Sequence, residues 1–235
     1  MNIAVIGLEN FPKNKVKIPD ERLKVLQKMF KSKEIVPAAV FFLGMDRIKD
    51  CEGIICSESE KLNLVVEDMD FIDKKLSSAG DFKDRTLFEK AMGYLEREEF
   101  LYKGMEDSVL SKEELSRLRE YPLITVRPFI VLPDTAQLSD LPQMWWHRFG
   151  RAIFFTAGPK DSHAWLFRIG QTALDCAGII HTEIARGFVR AEVVNYDVLV
   201  ECGSLSAVRQ MGKLRLEGKD YLMQEGDWVL FRTTG

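Results

Sequence analysis

Ile153-Phe-Phe-Thr-Ala-Gly-Pro-Lys160 and His163-Ala-Trp-Leu-Phe-Arg-Ile-Gly170, followed by a helical run, open the stretch that decides the fold. Gly187-Phe-Val-Arg-Ala-Glu-Val-Val194, Gly212-Lys-Leu-Arg-Leu-Glu-Gly-Lys-Asp-Tyr221 and Gly226-Asp-Trp-Val-Leu-Phe231 complete it. Short β-type runs at each end bracket the helix. Gly-Asp and Glu-Gly mark the turns, where glycine supplies the positive φ that other residues resist. A hairpin, a helix and further strands closing beside the first hairpin predict a β-grasp, or ubiquitin-like, module over residues 151–235.

Working outward, the whole chain of 235 residues leaves room for a second domain before this module. Hydrophobic residues at 46% suffice for a packed core, and charged residues at 29% suit a soluble surface. A net charge of -3 argues against a dedicated, strongly basic nucleic-acid binder, yet permits a local basic face. No apolar run approaches the ~20 residues that span a bilayer. Met1-Asn-Ile-Ala-Val-Ile6 lacks a basic leader and reads as a strand rather than a signal peptide. Cys51, Cys56, Cys176 and Cys202 form no CxxC pair, and His147, His163 and His181 are scattered, so no metal site is expected. This usage fits reduced, indifferent thiols in a cytoplasmic protein.

The chain begins with an apolar run, Asn2 to Gly7, of the kind that leads a buried parallel strand into a loop. Gly7-Leu-Glu-Asn-Phe-Pro-Lys-Asn14 then has the length of a phosphate-binding loop, whose pattern is GxxxxGK[ST]. Gly7 and Lys13 fit, and Asn10 lies between them. Pro12 stands at the second glycine, and proline has no N–H to offer a phosphate. Asn14 stands at the magnesium-binding hydroxyl. No helix follows at once, because Lys15-Val-Lys-Ile precedes Pro19. A helix is expected from Asp20, with Leu23, Leu26 and Phe30 as its apolar stripe. Leu62 to Leu76 and Thr86 to Leu101 repeat at three and four residues, which predicts a helical hairpin broken at Gly80-Asp81. Ser111-Lys-Glu-Glu opens a further helix with a capping-box pattern. Ile124 to Leu132 reads as a strand. Trp145 and Trp146 begin a short amphipathic piece, expected to place one ring in the core and one at the domain junction.

The phrases FFTAGPK, AWLFRIG, AGIIHTE, RGFVRAEV, KLRLEGKDY and EGDWVLF resemble the TGS domain that ends the YchF (Obg-like ATPase) family. The resemblance extends upstream. Val16-Lys-Ile-Pro-Asp-Glu-Arg-Leu23 is similar to the family's VPDxRL segment, which normally lies well downstream of the phosphate loop; here the intervening helix and switch region are missing. Pro37-Ala-Ala-Val-Phe-Phe-Leu43 is similar to the strand before the family's DxAG magnesium motif, but Gly44 occupies the aspartate position and Asp46 is displaced. The run from Leu62 to Leu76 resembles the family's helical arm. Val131-Leu-Pro-Asp134 stands where the NxxE base-reading motif belongs, with an apolar residue in place of the asparagine.

The resemblance implies an α/β protein of two parts. Residues 1–150 would be a truncated, degenerate P-loop GTPase-like parallel-sheet domain with a helical arm at about 60–101. Residues 151–235 would be the β-grasp (ubiquitin-like, TGS) domain. Gly7, Asn10, Lys13 and Asn14 are the relic nucleotide site, and no catalytic residue, cofactor or metal is expected. Lys160, Arg168, His181, Arg186, Arg190, Lys213, Arg215 and Lys219 are the candidates for touching RNA or a partner, because TGS domains are associated with RNA and ribosome binding. His181 also fits a helix-end hydrogen bond. The resulting expectation is a non-catalytic binder of RNA, the ribosome or a translation-related protein, with no membrane attachment. The alternatives are an ATPase or GTPase using ATP or GTP with magnesium at an atypical site, and a regulatory mimic that competes for the partners of its full-length relative.

Overall fold

The computed structural model describes residues 1–78 and 84–234. They form two compact units: Met1–Val16 with Val40–Phe149, and Lys17–Ala39 with the chain from Gly150 onward. The sequence divides the chain near residue 150. The structure moves residues 17–39 to the second unit, and the reason lies in what that segment packs against.

The first unit is built on a five-stranded sheet in the order β2-β4-β1-β5-β6. Its centre, β1 (Asn2–Ile6), pairs in parallel with β4 (Ala39–Leu43) and β5 (Gly53–Ser57). The latter pairs in parallel with β6 (Phe129–Leu132). The short β2 (Lys15–Lys17) closes one edge. Every residue of β5 is buried, as expected of a parallel strand covered on both faces. One face packs against α2 (Glu58–Ser77), α3 (Arg85–Leu95), α4 (Leu101–Glu106) and α5 (Lys112–Leu118) through a core that includes Ile54, Val65, Phe88 and Leu118. On the other face Phe42 meets Phe11 and Trp145, and Phe149 presses on Gly53, where an added Cβ would lie 2.2 Å from the ring. Trp145 and Trp146 are both buried.

Helix α2 starts where Ser57 accepts the N–H of Glu60, and α5 starts on the full Ser111/Glu114 capping box. The expected break at Gly80-Asp81 lies outside the described residues. The second arm helix stops at Leu95 rather than Leu101, because Glu98 adopts a left-handed φ of 60° and the chain restarts in α4. The expected strand from Ile124 begins only at Phe129. Asp68, buried on α2, accepts the N–H groups of Ile124 and Thr125 and the Thr125 hydroxyl, which holds that segment in a turn.

The second unit carries a six-stranded sheet, β10-β9-β11-β7-β8-β3. A hairpin of β7 (Arg151–Ala157) and β8 (Asp161–Arg168) leads to α6 (Ala173–Ile180) and α7 (Thr182–Arg186). β9 (Phe188–Asn195), α8 (Tyr196–Cys202), α9 (Leu205–Gln210), β10 (Arg215–Glu217) and β11 (Asp227–Thr233) follow. β11 lies parallel to β7 and antiparallel to β9, the closure expected of a β-grasp. Phe154, Phe167, Ala191, Val193 and Val229 face Ala173, Cys176 and Ala177 of α6 to form its core.

The remaining pieces are α1 (Arg22–Phe30) and β3 (Glu34–Val36), both from residues 17–39. β3 extends the sheet by pairing in parallel with β8. Phe30 of α1 stacks on Trp228 at 5.4 Å. Arg22 bonds Asp20 and Glu225 and lies over the Phe155 ring at 4.7 Å. Burial of the Leu23 and Leu26 stripe on this side of the sheet explains why the segment belongs here.

Candidate functional site

Gly7 ends β1 with a φ of 70°, a left-handed conformation natural to glycine. A Cβ there would lie 2.3 Å from Ser57 Oγ and 2.4 Å from Glu60 Cγ. The loop that follows turns Leu8 and Phe11 inward, while Asn10, Lys13 and Asn14 are exposed. It runs straight into β2, with the Phe42 N–H donating to the Asn14 carbonyl at 2.9 Å. The helix starting beside Gly7 is instead α2, which follows β5. The Asp134 carboxylate accepts from both the backbone N–H and the hydroxyl of Ser59 in its first turn. Those bonds, led by the Ser59 hydroxyl, hold Asp134 below the usual carboxylate range. An internal anion thus occupies a helix end that would otherwise attract a phosphate. Asp46 has its carboxylate turned toward Gly44, 2.6 Å from where a Cβ would stand. Among the described residues no group of three or more His, Cys, Asp or Glu is placed to hold a metal ion.

All four cysteines are free; burial pushes Cys51 up to about 11 and Cys56 and Cys176 up to about 12. His163 stacks on Trp165 at 3.6 Å, and its burial lowers its pKa. His181 caps α7, its Nδ1 accepting the Glu183 N–H at 3.2 Å.

The basic candidates of the β-grasp unit scatter. Lys160 lies at the turn of the β7–β8 hairpin, Arg168 ends β8 and Lys219 follows β10, all three exposed. Arg186 pairs with Glu183 on the surface, and Lys213 Nζ lies 3.5 Å from Glu201. Arg215 is drawn to the buried Asp227 at 3.3 Å, with Tyr221 and Glu217 also bonded to it. Strand alternation places Arg215, opposite Val193, on the α6 side of the sheet. Arg190 faces the other way, beside Arg232 across the β9–β11 pair and next but one to Glu192. Arg186, Arg190, Lys213 and Arg215 therefore do not make one surface.

The comparisons with known proteins follow this division. Residues 152–234 match the YchF-GTPase C-terminal family, described as a protein of unknown function (DUF933). Among curated relatives, the ribosome-binding ATPase YchF of Bacillus subtilis (strain 168) is 44% identical over 95 residues, 40% of this chain and 26% of the relative. Obg-like ATPase 1 of Oryza sativa subsp. japonica is 49% identical over 79 residues, 34% of this chain and 20% of the relative. The solved structure of the Schizosaccharomyces pombe YchF GTPase superposes with a TM-score of 0.76, covering 99% of this chain and 97% of that one at 19% identity. The chain resembles the YchF family.

Its match to the curated YchF relatives spans about a quarter or less of their own length. The likeness to the solved YchF extends over nearly the whole chain, but at that identity it speaks for the fold alone. Within the YchF-like β-grasp unit, sequence reasoning missed two arginines that the fold brings to Arg190. Arg232 Nε donates to Glu192 Oε1 at 2.9 Å, and Arg209, from α9, donates to Glu192 Oε2 at 2.9 Å. Glu192 is only 9% exposed; burial alone would raise its pKa, but bonds from Arg209 and Arg232 prevail and lower it. The alternation Trp228, Leu230, Arg232 was the available signal, and it needed the β9–β11 register to be useful.

Proposed function

We propose that this YchF-like chain acts in the cytoplasm by binding rather than by hydrolysis, and that it associates with the ribosome through its β-grasp unit. The observation that carries the reading is the loop after β1. Its glycine has no room for a side chain beside Ser57 and Glu60, its continuation is an edge strand, and the neighbouring helix end holds Asp134. Phosphoryl transfer relies on positioned N–H donors, a helix dipole and a metal clamp acting together. The B. subtilis and Haemophilus ducreyi relatives are named ribosome-binding ATPases, which makes the ribosome the partner to test first.

The test is sedimentation of the purified chain with ribosomes through a sucrose cushion at low and moderate salt, beside a phosphate-release assay with ATP and GTP. Salt-sensitive pelleting without turnover is expected. Failure to pellet at any salt, or wild-type hydrolysis above the background of the Lys13→Ala variant, overturns the reading.

A further inference from the structure

We infer that Arg190, Arg209 and Arg232 form the surface through which the β-grasp unit grips RNA backbone phosphates; this rests on the ribosome-binding reading above. The guanidinium groups of Arg209 and Arg232 bond a single carboxylate, and Arg190 stands on the same face of the sheet. Glu192 uses both oxygens to orient the bonded pair: Oε2 takes Arg209 at 2.9 Å, and Oε1 takes Nε of Arg232 at 2.9 Å, with NH2 2.8 Å away. Each guanidinium has five N–H donors. Glu192 accepts one hydrogen bond from each, while the side chains stay 47% and 51% exposed. Arg190 stands directly opposite Arg232 on the neighbouring strand and is itself exposed. Adjacent strands lie ~4.8 Å apart, so the two arginines project side by side.

The chemistry selects the occupant. A planar guanidinium fork matches two oxygens of a phosphate, and arginines fixed in advance lose little entropy on docking. Glu192 fixes two of the three here. Leu216, 61% exposed and paired with Glu192 on β10, adds an apolar contact on the same face for a sugar or base. The other basic candidates contribute less: Arg186 pairs with Glu183, and Arg215 is held by Asp227 on the opposite face. The chain's overall charge of -3 is no obstacle, since phosphate contacts act over about a Debye length of ~10 Å.

The test compares the wild type with Arg190→Glu and with the triple variant Glu192→Gln/Arg209→Gln/Arg232→Gln, which removes both oriented guanidinium groups together with the carboxylate between them. Lys49→Glu and Lys112→Glu, exposed on the first unit, are the controls. Each is measured by ribosome pelleting and by fluorescence anisotropy with protein-free ribosomal RNA across a salt series, after thermal melts confirm folding. Should the triple variant fail to fold, the exposed Arg190→Glu change decides alone. For RNA, both face variants are expected to weaken binding at least roughly tenfold, about 1.4 kcal/mol. Their log-log salt slopes should fall by about 0.7 for each phosphate no longer neutralised, if the RNA is gripped as a single strand. The controls should match the wild type. RNA binding by the wild type that the face variants retain overturns the surface and leaves ribosome binding standing. Loss of ribosome pelleting by the face variants, with no wild-type affinity for RNA, replaces RNA by an acidic protein surface and overturns the inference. Absence of wild-type binding to both ribosomes and RNA removes the underlying reading as well.

Discussion

Gly7 and Asp68 show how single positions commit this chain. Gly7 combines a φ of 70° with side chains of Ser57 and Glu60 standing where a Cβ would go, so a methyl group there meets both backbone strain and a clash. Gly7→Ala is expected to destabilise the fold by about 1–3 kcal/mol, read as a lower urea midpoint at unchanged m-value. A midpoint equal to the wild type would mean that the loop is open, as a phosphate cradle would be. Asp68 illustrates the limit of reading residues alone. It falls in a helical pattern as one more acidic residue, yet it is 1% exposed and ties down Ile124 and Thr125. Arg190 and Arg215 look alike in sequence; only the pairing of β9 with β10 and β11 places them on opposite faces.

Among the elements, α1 is the informative one. Its stripe of Leu23, Leu26 and Phe30 predicts a buried face, and Leu23 and Leu26 are buried. A stripe does not name its partner, so the sequence assigns this helix to the part of the chain in which it occurs. Its partner is the β-grasp sheet, through Trp228, Phe155 and Glu225. The β-grasp itself was readable because its strands and turns are local signals, with glycine at Gly170, Gly212 and Gly226 in positive φ. Phe30 is half-buried, so Phe30→Ala should cost on the order of 2 kcal/mol, below the ~3–5 kcal/mol of a fully buried aromatic. Hydrogen exchange checks whether α1 is integral to this unit. Amides of β7, β8 and β11 should lose protection together with those of β3. Loss confined to residues 22–36 would make α1 a peripheral attachment.

For the molecule as a whole, a parallel sheet with helices beside it is a layout that many α/β folds share, and it names no ligand. The argument against a nucleotide is local, and ligand linkage lets it be tested without choosing a site. Anything that binds the folded chain and not the unfolded one stabilises it, by ~2.7 kcal/mol at a concentration one hundred times its Kd. For a chain of this size that corresponds to a rise of roughly 5–10 °C in Tm. Millimolar ATP or GTP with magnesium is expected to leave the melting curve unmoved, because Pro12 supplies no N–H, the loop runs into an edge strand rather than a helix and α2 already has Asp134 at its end. A rise of several degrees that disappears in Lys13→Ala would show that Lys13, exposed in this structure, still holds a triphosphate. A rise that persists in Lys13→Ala would place the nucleotide elsewhere and leave the loop after β1 without a ligand.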